Sequence, residues 1–101
     1  MTIEEKLAYV SSGKAYDGLD PDLMAVEANA AALTDQLNHE TDPEAQARIT
    51  KKLFGAVGAG PFISPTFRCG YGRNIFAGDH FFANYDFMIL DGAKVTIGDN
   101  V

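Results

Sequence analysis

The sequence predicts an α+β fold, in which an N-terminal helical segment over residues 1–60 is followed by a parallel β-helix over residues 61–101. Two observations support this division. Helix-start signals and apolar residues at helical spacing fill the first part, and a six-residue repeat runs through the second. Composition changes at the same point, since seven of the ten glycines lie from Gly58 onward and six of the seven phenylalanines lie beyond Gly60.

Charge and composition exclude several classes of protein. The 101 residues suffice for one domain at most, and fourteen acidic against eight basic side chains give a formal charge of −6. An acidic chain repels a phosphate backbone and anionic lipid, so neither nucleic acid nor a membrane is an expected partner. The start of the chain lacks the pattern of a signal peptide, and the single Cys69 cannot form an internal disulfide or half of a CxxC metal site. A cytoplasmic protein without a metal site is therefore expected.

Three helix-start signals lie in the first sixty residues. Thr2 and Glu5 have the spacing of a capping box. Asp20-Pro21 and Asp42-Pro43 each place a capping aspartate before a proline at the first helical position. The sequence therefore predicts a short helix and two long helices, the last two forming an antiparallel pair. Their apolar stripes also match a coiled coil, but each spans only about two to three heptads, which favours packing within one chain.

The second part of the chain can be divided into units of six residues. Each unit has a small or apolar first residue and an apolar fifth residue, which predicts inward-pointing positions on the short faces of a β-helix. Glycine and Asp-Asn or Asp-His pairs would turn its corners. The units are Pro65–Cys69, Tyr71–Ile75, Ala77–Phe81, Ala83–Phe87, an over-long unit from Ile89 to Thr96, and Ile97–Val101. Antiparallel hairpins with Gly-Asp turns are the alternative, but they give no reason for one frame to persist through six units.

Three segments of the sequence resemble a known protein family. They are EEKLAYVSSGKAYD near the start, KKLFGAVG in the middle, and SPTFRCGYGRNIFAGDHFFANYDFMILDGAKVTIGDNV from Ser64 to Val101. The chain resembles the maltose and galactoside O-acetyltransferases, hexapeptide-repeat enzymes in which an N-terminal helical segment precedes a left-handed β-helix. The resemblance covers essentially the whole chain and implies an acetyl-CoA-dependent sugar O-acetyltransferase that forms a homotrimer, with sites between subunits.

The resemblance also implies where the catalytic base lies. In this family a histidine removes the proton of the acceptor hydroxyl, a task that suits a side chain titrating near neutrality. In the family, that histidine follows the segment with the sequence IGDNV, which in this chain ends at Val101. Neither His39 nor His80 matches the motif, so no catalytic residue is expected in this chain, and the 101 residues alone are expected to be inactive. Most of the acetyl-CoA site is likewise expected in later coils.

Three acceptor-side positions match the family. Asn84 corresponds to an asparagine that hydrogen-bonds the sugar, and Asp91 falls at or beside a sugar-binding aspartate. Asp17 matches the aspartate from the N-terminal segment, although Asp20 competes for this alignment. Amide and carboxylate groups suit vicinal hydroxyls because they form paired hydrogen bonds. The alternatives left open are an Asx turn for Asn84, a solvated loop carboxylate for Asp91 and a helix-end residue for Asp17.

The sequence differs from the family at one notable position, and two functions other than the enzyme are also considered. Several relatives carry an acidic or hydroxyl residue where this chain has Gly70, which puts the identity of the acceptor sugar in doubt. Cys69 occupies an inward position and is expected in the core. Besides the enzyme, the chain could be a non-catalytic sugar-binding or assembly module, or an incomplete reading frame of the whole enzyme.

Overall fold

The first part of the chain folds into three helices. The computed structural model describes residues 1–101 and places α1 at Ile3–Ser11, α2 at Pro21–His39 and α3 at Pro43–Leu53. Thr2 and Glu5 form the predicted capping box. Asp20 and Asp42 cap α2 and α3, each with proline at the first position, and Asp20 accepts two backbone N–H groups of the first turn whereas Asp42 accepts one. The three predicted helices are confirmed.

The second part forms seven short strands that pair only in parallel. The strands are Ala56–Val57 (β1), Phe62–Ile63 (β2), Phe67–Cys69 (β3), Ile75–Ala77 (β4), Phe82–Ala83 (β5), Phe87–Ile89 (β6) and Val95–Ile97 (β7). β1, β4 and β7 make the first face, β2 and β5 the second, and β3 and β6 the third. This is the start of a left-handed β-helix, so the predicted fold class is confirmed and antiparallel hairpins are excluded.

Every turn of the β-helix contains twenty residues. Ala56 pairs with Phe76, Phe62 with Phe82, and Ile75 with Val95. The over-long unit predicted from Ile89 to Thr96 is present, since β6 and β7 are eight residues apart, but the sequence analysis missed a second one in the turn below. The lower turn has the same long corner, because residues 70–74 connect β3 to β4 just as residues 90–94 connect β6 to β7. Hydrogen bonds between these two corners keep them equal in length.

The helices cover the lower end of the β-helix. Leu37 of α2 and Leu53 of α3 join the buried cluster that fills the β-helix, which includes Phe67, Ile75 and Phe81. The helices thereby bury apolar side chains that a bare first turn would leave in water. The opposite end is open and exposes an apolar cavity of about 570 Å³.

An asparagine completes the contact between helix and sheet. The Asn38 side chain of α2 donates from Nδ2 to the Phe67 carbonyl at 3.0 Å and accepts the Phe67 N–H at 2.8 Å. It therefore satisfies both backbone groups of Phe67 at the lower edge of β3, as a neighbouring strand would. These two groups are therefore not available for pairing with another chain.

A second, smaller cluster attaches α1 to the rest of the molecule. Leu7 and Val10 of α1 pack with Leu23 and Val26 of α2 and with Tyr71 from the long corner. This packing brings the loop between α1 and α2 next to the β-helix. None of the helices combines the length and apolarity needed to cross a bilayer. The division at residue 60 stays a prediction, and β1 lies just before it.

Candidate functional site

Asp91 lies at the centre of the long corner. Its side chain is fully buried, and its two carboxylate oxygens accept the backbone N–H groups of Tyr71 at 2.8 Å and Asn74 at 3.2 Å. The Asn74 side chain in turn donates to the Asp91 carbonyl at 2.9 Å. Buried carboxylates need such partners because desolvation is otherwise costly. Asp91 therefore joins the long corners of the two turns.

Tyr71 connects this corner to the N-terminal segment. Burial, together with neighbouring Tyr16 and Glu27, raises the pKa of Tyr71 to about 12, so its phenol is neutral at physiological pH. Asp17 follows Tyr16 in the loop between α1 and α2, and its Oδ1 accepts the Leu19 N–H at 2.9 Å. Asp17 is exposed and lines a cavity of about 260 Å³ between α1 and this loop.

Asn84 lies at the other end of β6, on the rim of the open end. Its side chain is exposed, and its Oδ1 accepts the N–H of the next residue, Tyr85, at 2.8 Å. This leaves the Nδ2 group of Asn84 as a free donor beside the apolar open-end cavity. An amide donor at an apolar rim is suited to orient a hydroxyl-bearing ligand.

The three predicted acceptor-side residues do not form one cluster within this chain. Asp17 and Asp91 approach the same corner through Tyr16 and Tyr71, whereas Asn84 belongs to the corner between β5 and β6. No hydrogen bond joins any two of the three. Their role in binding an acceptor stays a prediction.

Sequence reasoning missed Tyr71 and Asn74 as partners of Asp91. Their contacts span 20 and 17 residues, so local motifs could not reveal them. The available signal was the twenty-residue offset between AGDHF and IGDNV. Applied to Asp91, this offset points directly at Tyr71.

Two further residues singled out in the sequence, Cys69 and Gly70, have structural roles. Cys69 is half-buried, and burial, aided by the nearby Asp91 charge, raises the pKa of its thiol to about 12. A thiol that stays protonated is not a nucleophile at neutral pH. Gly70 lies against Asp91, whose Oδ1 would be 3.4 Å from a side-chain Cβ at this position.

The two histidines occupy exposed positions. His39 at the end of α2 contacts the Asp35 carbonyl through Nδ1 at 2.8 Å. His80 turns a corner with φ of 58°, and its Nδ1 lies 3.2 Å from the Asn100 side-chain oxygen. No group of three His, Cys, Asp or Glu side chains converges as a metal site would require.

Comparisons with known proteins agree with this architecture. Residues 10–58 match the family model of the maltose acetyltransferase hexapeptide capping motif. Among solved structures, the chain is similar to a maltose O-acetyltransferase from Clostridium difficile 630, with a TM-score of 0.87 and 39% identity over 99% of this chain and 53% of that one. It is also similar to a hexapeptide-repeat acetyltransferase from Vibrio cholerae complexed with acetyl coenzyme A, with a TM-score of 0.83 and 33% identity over 97% of this chain and 52% of the other.

A curated relative extends the comparison to galactosides. The galactoside O-acetyltransferase of Escherichia coli is 32% identical over 91% of this chain and 46% of its own length. The chain thus spans about half the length of the relatives that it matches. The resemblance to the maltose and galactoside O-acetyltransferases, inferred from three sequence segments, is confirmed.

Proposed function

We propose, from the premise that the chain belongs to the maltose and galactoside O-acetyltransferase family, that it forms the acceptor side of a site that moves acetyl from acetyl-CoA to a sugar hydroxyl. The match to the Clostridium difficile maltose O-acetyltransferase, over 99% of this chain, carries the proposal. Acetyl-CoA is the proposed donor because the similar Vibrio cholerae enzyme was solved with it.

The proposed reaction assigns distinct tasks to the chain's residues. The acceptor hydroxyl oxygen attacks the thioester carbonyl, loses its proton to a base, and the CoA thiol leaves. Asn84 offers a free amide donor and Asp17 an exposed carboxylate to the acceptor. Asp91 is proposed as the third acceptor-side residue. Its oxygens already accept two backbone N–H groups, which favours a role in holding the corner in place.

These 101 residues are proposed to lack turnover by themselves, because neither His39 nor His80 matches the catalytic histidine motif of the family. An acetyl-transfer assay of this chain with acetyl-CoA and maltose, galactosides or glucose tests this. We expect CoA release equal to the spontaneous rate with each sugar. Sugar-dependent release clearly above that rate would overturn the proposed inactivity.

The proposed acceptor contacts need the assembled site for their test. In a complete acetyltransferase that contains these residues, Asn84→Ala is expected to raise the KM for the sugar about fivefold, since one hydrogen bond to a ligand is worth roughly 1 kcal/mol. Asn38→Ala is not a suitable control because it alters the fold, whereas the exposed Gln36→Ala is. An unchanged KM in the Asn84→Ala enzyme would contradict the assignment.

We further propose that the protein forms a homotrimer and is located in the cytoplasm. The Phe62 and Phe82 rings stack 5.6 Å apart on the second face, and they are 47% and 53% exposed. An exposed aromatic pair of this kind favours association between copies. The family resemblance implies three copies, so light scattering should give three times the 10.9 kDa chain mass, and a monomer would contradict the trimer. The free cysteine is compatible with a reducing compartment.

The same exposed pair favours the alternative function, a non-catalytic assembly or sugar-binding module. Calorimetry with maltose and galactosides distinguishes the two. A stable oligomer that binds sugar without any turnover, even when the family's later coils are supplied, would favour the module.

A further inference from the structure

Aspartate precedes glycine at two places in the chain, Asp17-Gly18 and Asp91-Gly92. Such a pair can rearrange without an enzyme, because glycine has no Cβ that would shield its backbone nitrogen from the preceding carboxyl group. The rate depends on how the fold holds this carboxyl group and the peptide that follows it. The two pairs differ in both respects.

The Asp91-Gly92 pair is held in place on all sides. Asp91 is fully buried, and its two oxygens accept the N–H groups of Tyr71 at 2.8 Å and Asn74 at 3.2 Å. The Asp91 carbonyl also accepts the Asn74 side chain at 2.9 Å. These bonds fix the carboxyl group and its own carbonyl against the long corner of the turn below. A reaction at Asp91 therefore requires that the buried corner first opens.

The Asp17-Gly18 pair is open to solvent. Asp17, Gly18 and Leu19 are all exposed in the loop between α1 and α2. No atom lies within 4 Å of the Cβ position of Gly18, and the φ of Gly18 is not positive. The Gly18 N–H has no hydrogen-bond partner. The backbone nitrogen that would attack Asp17 is therefore free and unhindered.

A single hydrogen bond orients the Asp17 side chain. Its Oδ1 accepts the Leu19 N–H at 2.9 Å, which is the bond of an Asx turn. This turn folds the carboxyl group of Asp17 back over the Gly18 peptide. No second hydrogen bond restrains the carboxyl group, in contrast to the two that hold Asp91. The reacting groups at Asp17 are thus close in the chain and free to approach each other.

We propose that Asp17-Gly18 is a site of spontaneous isoaspartate formation, whereas Asp91-Gly92 stays unaltered in the folded protein. The Gly18 nitrogen attacks the side-chain carboxyl carbon of Asp17, a C–N bond forms, and the carboxyl OH leaves with the amide proton as water. Water then attacks the former backbone carbonyl of the resulting succinimide and breaks its bond to nitrogen. The chain now runs through the side-chain carbon of Asp17. No oxidant or reductant is needed, since the water lost in the first step is regained in the second.

The product changes the loop that leads into α2. Isoaspartate adds a methylene group to the backbone and exchanges the two carbonyl groups of Asp17 that accept the N–H groups of Leu19 and Asp20. The carboxylate then stands directly on the α-carbon, on a shorter stem. Asp17 is also proposed to contact the acceptor sugar. The modification follows from the loop alone and does not depend on that proposal.

Tryptic peptide mapping tests the difference between the two sites. Trypsin cleaves after lysine and arginine, which leaves Asp17 in peptide 15–48 and Asp91 in peptide 74–94. The folded chain is incubated at neutral pH below its unfolding temperature, and timed samples are digested. Electron-transfer fragmentation locates isoaspartate, and methyl transfer from labelled S-adenosylmethionine by an isoaspartyl O-methyltransferase counts it. Asp17 should accumulate isoaspartate at least about tenfold faster than Asp91.

Two controls separate the effect of the fold from that of the sequence. In guanidinium chloride both pairs lose their surroundings, so the two rates should approach each other. In the folded chain Gly18→Ala should slow the reaction at Asp17 several-fold, because the new Cβ shields the nitrogen and the open site accepts it. Gly98→Ala, at a glycine with equally open surroundings that does not follow an aspartate, should leave this rate unchanged.

Two outcomes would overturn the proposal. The first is a folded chain in which Asp17 stays unmodified while the unfolded chain reacts at both sites. The second is a ratio between the rates at Asp17 and Asp91 that does not change on unfolding, since the sequence and not the fold would then set it.

Discussion

At the scale of single residues, Asp91 shows how one side chain can be identified correctly and its contacts missed. The sequence marked it as chemically important, and the structure buries it with both oxygens bonded to backbone N–H groups. The partners lie one β-helix turn away, so only the period of the whole repeat could have revealed them. Asn84 and Asp17, by contrast, bond only to near neighbours in sequence, in the local turns that short polar side chains favour.

Replacing Asp91 should therefore destabilise the protein. Asp91→Ala leaves the N–H groups of Tyr71 and Asn74 without acceptors in a buried corner, at a cost of about 2–4 kcal/mol in the free energy of unfolding. Urea denaturation measures this loss. The exposed Asp35→Ala on α2 is the control and should change the free energy by less than about 0.5 kcal/mol. Equal stability of the two variants would show that the buried carboxylate is not needed.

Cys69 should resist modification in the folded protein. Burial raises its thiol pKa to about 12, so the reactive thiolate is scarce at pH 8. Iodoacetamide should therefore label Cys69 at least about tenfold more slowly in buffer than in 6 M guanidinium, where the thiol returns to its ordinary pKa near 8.5. Mass spectrometry of timed samples gives both rates. Equal rates would contradict the inward position of this side chain.

At the scale of elements, local sequence signals were sufficient to predict the helices but not to predict the corners of the β-helix. Capping residues and the 3.6-residue period act within one turn of helix, so α1, α2 and α3 could be read directly. The length of the β-helix turn is fixed by contacts twenty residues apart, such as that between Asp91 and Tyr71. Division of the sequence into six-residue units therefore did not reproduce the long corner at residues 70–74.

The contact between α2 and β3 gives a prediction at this scale. Asn38→Ala removes the donor and the acceptor that satisfy the backbone of Phe67, and should lower the free energy of unfolding by about 1–3 kcal/mol. Asn38→Asp should not rescue this loss, because its second oxygen would face the Phe67 carbonyl. Gln36→Ala, exposed on the same helix, serves as the control. Thermal unfolding that does not distinguish Asn38→Ala from Gln36→Ala would disprove the capping role.

At the scale of the whole molecule, the helices and the β-helix depend on each other. The first turn of the β-helix buries its lower end under α2 and α3, and the helices bury their apolar residues against the same core. We therefore attribute the joint folding of α2, α3 and the β-helix to one shared core, whereas α1 joins through the smaller apolar cluster and through ion pairs near the start of α2.

Those ion pairs, together with the capping box of α1, contribute to the pH dependence of stability. Lys6 binds both Asp20 and Asp22; its bond to Asp22, then that to Asp20, raises the pKa of Lys6, while Lys6 lowers the pKa of Asp20. The Thr2 N–H bond lowers the pKa of Glu5. A lowered carboxyl pKa stabilises the fold above the unfolded-state value near 4 and is lost as pH falls through the folded-state value. The raised Lys6 pKa stabilises the fold below about pH 10.4 and is lost above it.

Stability should consequently be nearly constant from about pH 5 to 9 and decrease on both sides. Asp20→Asn isolates the charge, since asparagine caps a helix as well as aspartate but cannot pair with Lys6. Urea denaturation from about pH 2 to 7 should show a smaller loss of stability below about pH 4 for Asp20→Asn than for the unaltered chain. A decrease of equal size would mean that the Lys6–Asp20 pair does not govern the acid limit. The acid limit would then belong to other carboxylates, foremost the capping-box Glu5, and Glu5→Gln would be the variant that flattens it.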